Sequence, residues 1–269
     1  MGKVISLDEF SRQVKEGAKV GIGGFDLHRK PLSLILKLAE NTELRDLELF
    51  GISLALEADI LIGSEKAKRI ISSYTGLENF GQCYFFREGV EERRVESIEM
   101  STYATILSLQ AGALGIEYLP SKTMLHSDMA KNNCLVKIIE SEFSGKKFTA
   151  IRVYNPDIAL IHAQEADEEG NVRITSPPAT KVDEFLARAS KKTFVSVEKI
   201  IDKVENPTVS GLYTTGIIHL PGGSAPTSLY PQHDVDSIAM ELYGQGSREK
   251  DLKYCKEVIK NAIERRRED

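Results

Sequence analysis

"KVGIGGFDLHRKPLSLILKLAEN", residues 19–41, joins a short apolar run to a pair of glycines and then to a segment with apolar residues at helical spacing. Val20 to Gly23 reads as a strand. Pro31 suits the first turn of a helix, where its missing N–H would have no partner anyway, and Leu32, Ile35, Leu36 and Ala39 follow at helical intervals. A strand that empties through small residues onto a helix start is the unit of an open α/β sheet, and such sheets bind ligands at the carboxyl ends of their strands. The backbone N–H groups exposed there attract negative charge. Gly23, Gly24 and Phe25 are therefore the first candidate site, for a phosphate, a carboxylate or a developing oxyanion.

A nucleotide reading needs G-x-G-x-x-G or the P-loop lysine pattern, and Gly21, Gly23 and Gly24 lack a further glycine at the right offset. Two readings remain. One is a tight turn that needs small residues; the other is a pair of backbone donors facing a carbonyl oxygen as it gains charge. His28, Arg29 and Lys30 come next, and beside the glycines they can supply charge-assisted bonds to a substrate carboxylate or to coenzyme phosphates.

The same alternation continues outward. Strand candidates are Leu47 to Ile52, Arg69 to Tyr74, Asp157 to His162, Thr193 to Val197 and Gly216 to Leu220; helical periodicity appears at Leu7 to Lys15, Pro31 to Glu40, Tyr103 to Leu114 and Asp251 to Arg266. This predicts an α/β fold with an open, mostly parallel sheet flanked by helices, expected as a single domain over residues 1–269. "DIALIHA" and "TFVSV" are nearly all apolar or small, as strands covered on both sides should be. "DEEGN" (167–171) followed by "VRI" predicts a hairpin at a strand end. Leu119 to Ala150 reads as mostly loop.

Composition narrows the function. With 41% hydrophobic and 28% charged residues the 269-residue chain is an ordinary globular protein. A net charge of −5, with the one basic cluster Arg265, Arg266 and Arg267 lying beside Glu268 and Asp269, argues against a nucleic-acid partner. No apolar stretch approaches the ~20 residues that span a bilayer, and the start "MGKVISLDEF" has no leader pattern, so a cytoplasmic protein is expected. Cys83, Cys134 and Cys255 form no CxxC pair, and His162 and His219 sit in apolar runs away from ligand spacing, so no metal is expected.

Further candidates lie at other strand ends. Ser72, Ser73 and Tyr74 precede Gly76; Ser101 opens a helical stretch, where it can also be the N-cap with Ala104 as N3; and "LPGGSAPTSLYPQH" (220–233) is a second glycine- and proline-rich turn. There is no G-x-S-x-G elbow, glycine-flanked cysteine or H-E-x-x-H. The chain holds the makings of a binding half-site without an obvious reactive group.

"GGFDLHRKP" (23–31), "SYTG" (73–76), "AGALGIEYLP" (111–120), "PDIALIHAQEADEEGNVRI" (156–174) and "PGGSAPTSLYP" (221–231) together resemble the alpha subunit of family I coenzyme A transferases, nearest the glutaconate-type branch, from about residue 3 to 233. The resemblance implies the family's open α/β fold, an obligate beta subunit, commonly in an α2β2 assembly, and coenzyme A as a substrate, with no bound cofactor. It implies that a glutamate supplied by the beta subunit is the nucleophile. Its attack on the acyl-CoA thioester gives an acyl-glutamyl anhydride and then a glutamyl-CoA thioester, while CoA passes to a carboxylic acid. Gly23, Gly24 and Phe25 would be the oxyanion loop, with loss of one donor costing about 10²- to 10³-fold in rate; Arg29, Ser73, Tyr74 and Ser101 would contact substrate. Two alternatives stay open. A related branch hydrolyses a carbon–carbon bond in a ring-derived acyl-CoA and carries an acid near the position of Thr102, which is not acidic here. The other is a non-catalytic acyl-CoA binding module.

Overall fold

The computed structural model describes residues 2–175 and 181–268. Ser6 caps α1 (Leu7–Ser11) by accepting from the Glu9 N–H while the Glu9 carboxylate accepts from the Ser6 N–H. The chain leaves the helix at Arg12, short of the expected Lys15. There follow β1 (Lys19–Ile22), α2 (Leu32–Glu40), β2 (Leu47–Phe50), β3 (Ser53–Leu54), α3 (Leu56–Gly63), β4 (Ala67–Ser72), β5 (Tyr74–Thr75), α4 (Tyr84–Glu91), β6 (Glu96–Glu99) and α5 (Thr102–Leu114). Then come β7 (Tyr118–Ser121), β8 (Val136–Glu140), β9 (Lys147–Arg152), β10 (Ile158–Ala166), β11 (Val172–Arg173), α6 (Val182–Ala189), β12 (Lys192–Ile200), β13 (Gly216–His219), α7 (Ser237–Glu249) and α8 (Leu252–Glu268).

The main sheet runs β13-β12-β10-β1-β2-β4-β6, and every neighbouring pair in it is parallel. β11 pairs antiparallel with β10, closing the hairpin that "DEEGN" predicts. Strands are added outward from β1 through β2, β4 and β6; the chain then returns to the other side of β1 and adds β10, β12 and β13. The direction of growth reverses between β1 and β10, the point at which open α/β sheets form a ligand crevice at the carboxyl ends of their strands.

Both faces of the sheet are buried, with the period-2 alternation of a strand. Val20 and Ile22 of β1, Leu47 and Leu49 of β2, Ile158 and Leu160 of β10 and Phe194 of β12 join one core with α2, α3, α7 and α8. Phe50, Ile71, Ala159, Ile161, Val195 and Val197 join the other, with α5 and α6. The expected loop from Leu119 to Ala150 is corrected: it contains most of a second, antiparallel sheet, β7-β9-β8. β8 reads Val-Lys-Ile-Ile-Glu, without clean alternation, and only the pairing across the Ser141–Lys146 turn fixes it as a strand. α3 also carries no periodic signal, because it is buried on all sides between α2, α4 and α8.

One buried carboxylate ties this helical layer together. Asp59 of α3 accepts from Ser247 Oγ (2.7 Å) and Tyr243 OH (3.0 Å) of α7 and from the Phe86 N–H of α4 (3.0 Å). Burial, only partly offset by those donors, pushes its pKa from 3.8 up to about 6. A carboxyl that binds its proton more tightly in the folded state contributes stability below the unfolded pKa and loses it as pH rises through the folded one. Asp59→Asn removes this dependence. Urea denaturation at pH 5 and pH 8 should show the stability difference between variant and wild type moving toward the variant by about 1–2 kcal/mol at the higher pH; a difference that stays constant would contradict the shift.

Candidate functional site at the strand carboxyl ends

β1 ends at Ile22 and the chain enters the loop 23–31 at the crevice. The three N–H groups expected to face a ligand are all engaged within the chain. Gly23 donates to the Leu160 carbonyl (2.8 Å), Gly24 to Asp183 Oδ1 (3.0 Å) and Phe25 to the His28 carbonyl (3.1 Å). In this conformation none of the three is open to an oxyanion. The glycines have a different physical reason. A Cβ on Gly23 would lie 2.3 Å from Asp183 Oδ1, and Gly24 has φ +76° with its Cβ position 2.4 Å from the His28 carbonyl. Phe25 and His28 exchange both backbone bonds, closing a turn with Asp26 (φ +48°) and Leu27 at its tip. Among the described residues no acceptor is found for the N–H of Asp26 or of Leu27.

The cations of the loop are turned inward. Arg29 is 4% exposed; its Nη2 lies 2.6 Å from Asp183 Oδ2, its Nη1 donates to the His162 carbonyl at 3.4 Å, and its Nε has no hydrogen-bond partner among the described residues. The guanidinium therefore already has a buried counter-ion. Lys30 is buried completely, with Nζ 2.9 Å from Glu57 Oε1 and a bond to the Ser53 carbonyl. His28 Nδ1 lies 2.8 Å from Ser228 Oγ.

The hydroxyl candidates follow two adjacent strands. β4 and β6 are neighbours, and Met100 N–H donates to the Ser72 carbonyl just past their ends. Ser73 Oγ donates to the Ile52 carbonyl (2.6 Å) and lies 3.0 Å from Thr102 Oγ1. Ser101 is the N-cap of α5, accepting from the Ala104 N–H at 3.2 Å, and its Oγ lies 2.8 Å from Thr123 Oγ1. Tyr74 is 41% exposed and its hydroxyl accepts from the Glu78 N–H. Burial first, then the neighbouring charges of Glu78 and Asp26, holds the Tyr74 phenol above its ordinary range; burial and Asp26 likewise raise the Glu78 carboxyl.

The turn 220–233 lies directly against the glycine loop: Arg29 N–H donates to the Ser228 carbonyl and Ser228 N–H to the Leu27 carbonyl. Beneath both loops, buried His162 bridges Ser196 Oγ through Nδ1 and Glu198 Oε1 through Nε2, each at 2.8 Å. Glu198 also accepts from the Gly222 N–H; although burial works against it, these donors hold its carboxyl below the ordinary range. Sequence reasoning missed Asp183 and Glu57. A signal for Asp183 existed, since it stands three residues before Leu186 and four before Ala187, on the inward face of α6. Glu57 lies on α3, which has no polar side to read against. Among the described residues no cluster of His, Cys, Asp or Glu is arranged to hold a metal ion, and no helix is long and apolar enough to cross a membrane.

A parallel sheet flanked by helices, with the glycine loop and the proline-rich turn packed together at its strand carboxyl ends and the hydroxyl residues following β4 and β6, defines an open α/β protein with its candidate site at the strand ends. The chain belongs to the coenzyme A transferase family, whose model matches residues 4–219. It is 28% identical to the alpha subunit of 3-oxoadipate CoA-transferase from Pseudomonas knackmussii, over 93% of this chain and 90% of that protein. It is 29% identical to the alpha subunit of glutaconate CoA-transferase from Acidaminococcus fermentans, over 96% and 88%. The solved structure of the Acidaminococcus fermentans enzyme superposes with a TM-score of 0.88 at 27% identity, covering 96% of this chain and 88% of that one. A more distant relative, the cholesterol ring-cleaving hydrolase IpdA subunit of Rhodococcus jostii, is 26% identical over 91% of this chain and 87% of its own length. The chain is a CoA transferase by family, and its fold is the one expected of it.

The Lys30–Glu57 pair at the back of the loop offers a test of how the site is supported. Lys30→Met leaves Glu57 as an uncompensated buried charge and should destabilise the protein by about 3–5 kcal/mol, whereas Lys30→Met combined with Glu57→Leu should cost much less. Chemical denaturation of the two variants checks this; equal losses would mean that packing, and not charge pairing, sets the cost.

Proposed function

We propose that this chain is the alpha component of a two-subunit CoA transferase that moves coenzyme A between an acyl-CoA and a carboxylic acid, the nucleophile being a glutamate on a beta partner. The observation that carries this is the half-site itself. The charged side chains of loop 23–31 that reach the interior, Arg29 and Lys30, are both committed to buried carboxylates, and what faces outward is a set of hydroxyls and a turn tip. Such a wall can bind and orient an acyl-CoA, and the reacting carboxylate then comes from outside the chain. The relatives that are alpha subunits of CoA transferases support the same division.

In this reading Gly23, Gly24 and Phe25 build the loop, the tip N–H groups of Asp26 and Leu27 are its remaining donors toward a developing oxyanion, and Ser73, Tyr74 and Ser101 line the acyl side. Each attack on a thioester or anhydride carbonyl puts charge on one oxygen, so a fixed N–H near that position lowers the barrier without prior reorganisation. The ring-cleaving hydrolase reading has one observation in its favour, the 26% identity to a hydrolase of that kind, and it predicts a partner without the glutamate.

Co-purification with the product of the neighbouring gene, followed by incubation with acyl-CoA and borohydride reduction, tests the assignment. The expected result is CoA exchange by the complex, none by this chain alone, and a reduced glutamate on the partner. A modified Glu78 or Asp26 on this chain, or hydrolysis without exchange, would overturn it.

A further inference from the structure

Asp183 stands in the first turn of α6 and is 3% exposed. Its two oxygens are divided between the two ends of one loop: Oδ1 accepts from the Gly24 N–H at 3.0 Å and Oδ2 from Arg29 Nη2 at 2.6 Å. Arg29 in turn reaches the His162 carbonyl of β10, on the far side of the crevice. The segment so held contains three left-handed residues, Gly24 (φ +76°), Asp26 (φ +48°) and Arg29 (φ +56°), and two of them are not glycine. Backbone of this kind persists only where its surroundings impose it. The arrangement is also specific for a carboxylate: Oδ1 occupies the space that a Cβ on Gly23 would need, and among the described residues the buried guanidinium hydrogen-bonds no other carboxylate.

Resting on the transferase reading above, the geometry points to Asp183 as a positioning residue for acyl transfer: a built-in anion that holds the Gly24 N–H and the Arg29 guanidinium and so fixes the turn tip at Asp26 and Leu27. It touches no reacting atom and acts through the loop. Replacing it by asparagine keeps the shape but sets an amide NH2 or an uncharged oxygen against the guanidinium. Replacing it by alanine opens a carboxylate-sized space beside one N–H and one buried cation, which formate can refill.

The experiment uses the complex of this chain with its beta partner in three forms, wild type, Asp183→Asn and Asp183→Ala, each first shown to co-purify and fold. Steady-state CoA exchange should lose about tenfold or more in kcat in both variants with KM for the acyl-CoA changed less than about threefold. Hydrogen exchange of the 23–29 segment, measured without acyl-CoA, should quicken in Asp183→Ala and slow again with formate but not with chloride. A formate-insensitive Asp183→Ala, or unchanged exchange of the segment in a folded complex, would reduce Asp183 to packing and overturn the inference while leaving the transferase reading intact. If the wild-type complex moves no CoA, the transferase reading falls, and with it acyl-transfer positioning; the hydrogen-exchange result then decides only whether Asp183 sets the loop.

Discussion

A sheet whose strands are buried on both faces and run in one direction must put every connection back to the start on one face or the other, and it gathers its strand-to-helix loops at one edge. That constraint governs this molecule. β1 and β10 lie side by side but belong to opposite directions of growth, and the loop after β1 stays tied to β10 through the Gly23 N–H and Arg29. The glycine loop and the 220–233 turn are neighbours although almost two hundred residues separate them, and Ser73 meets Thr102 because β4 and β6 are adjacent in the sheet.

The charges of the loop follow from the same geometry. A chain leaving a doubly covered strand has little solvent to point into, so Arg29 and Lys30 fold back into the layers beneath and must find counter-ions there: Asp183 on one face, Glu57 on the other. Each pair is costly to break because the surviving member would be a buried charge. The loop is thereby anchored on both sides of the sheet, and its rigidity comes from the groups that are no longer available to a ligand. Two adjoining hollows, about 270 and 310 Å³, share Cys134, Leu135 and Arg152 beside the antiparallel β7-β9-β8 sheet. They lie apart from this edge, as expected if the crevice is an open wall that a second chain completes.

The parallel strands were legible wherever burial left a mark on the sequence. β1, β2, β10, β12 and β13 are largely apolar runs, and α2 and α8 carry periodic stripes. What could not be read lacked such a contrast: β6, Glu-Ser-Ile-Glu at the sheet edge, is mostly exposed, and α3 has no polar face. The site was legible to the level of segments. Ser73 meets Thr102, the residue after Ser101, and Ser101 does cap its helix, since strand ends and caps are local properties. The roles of individual groups were not legible, because whether an arginine binds a ligand or a buried acid depends on a residue far along the chain.

The glycine pair shows why. Two glycines after a strand signal that something must come closer to the backbone than a Cβ allows, and the sequence cannot say whether that object is a ligand or another part of the protein. Here it is Asp183, 159 residues away, with the His28 carbonyl closing on the second glycine. The physical demand on positions 23 and 24 is identical in the two cases: an anion or carbonyl oxygen against N–H groups, with no room for a side chain. A motif of this kind therefore identifies the place where the backbone is approached, and only the identity of the approaching atom separates a donor that binds substrate from a donor that builds the loop presenting others.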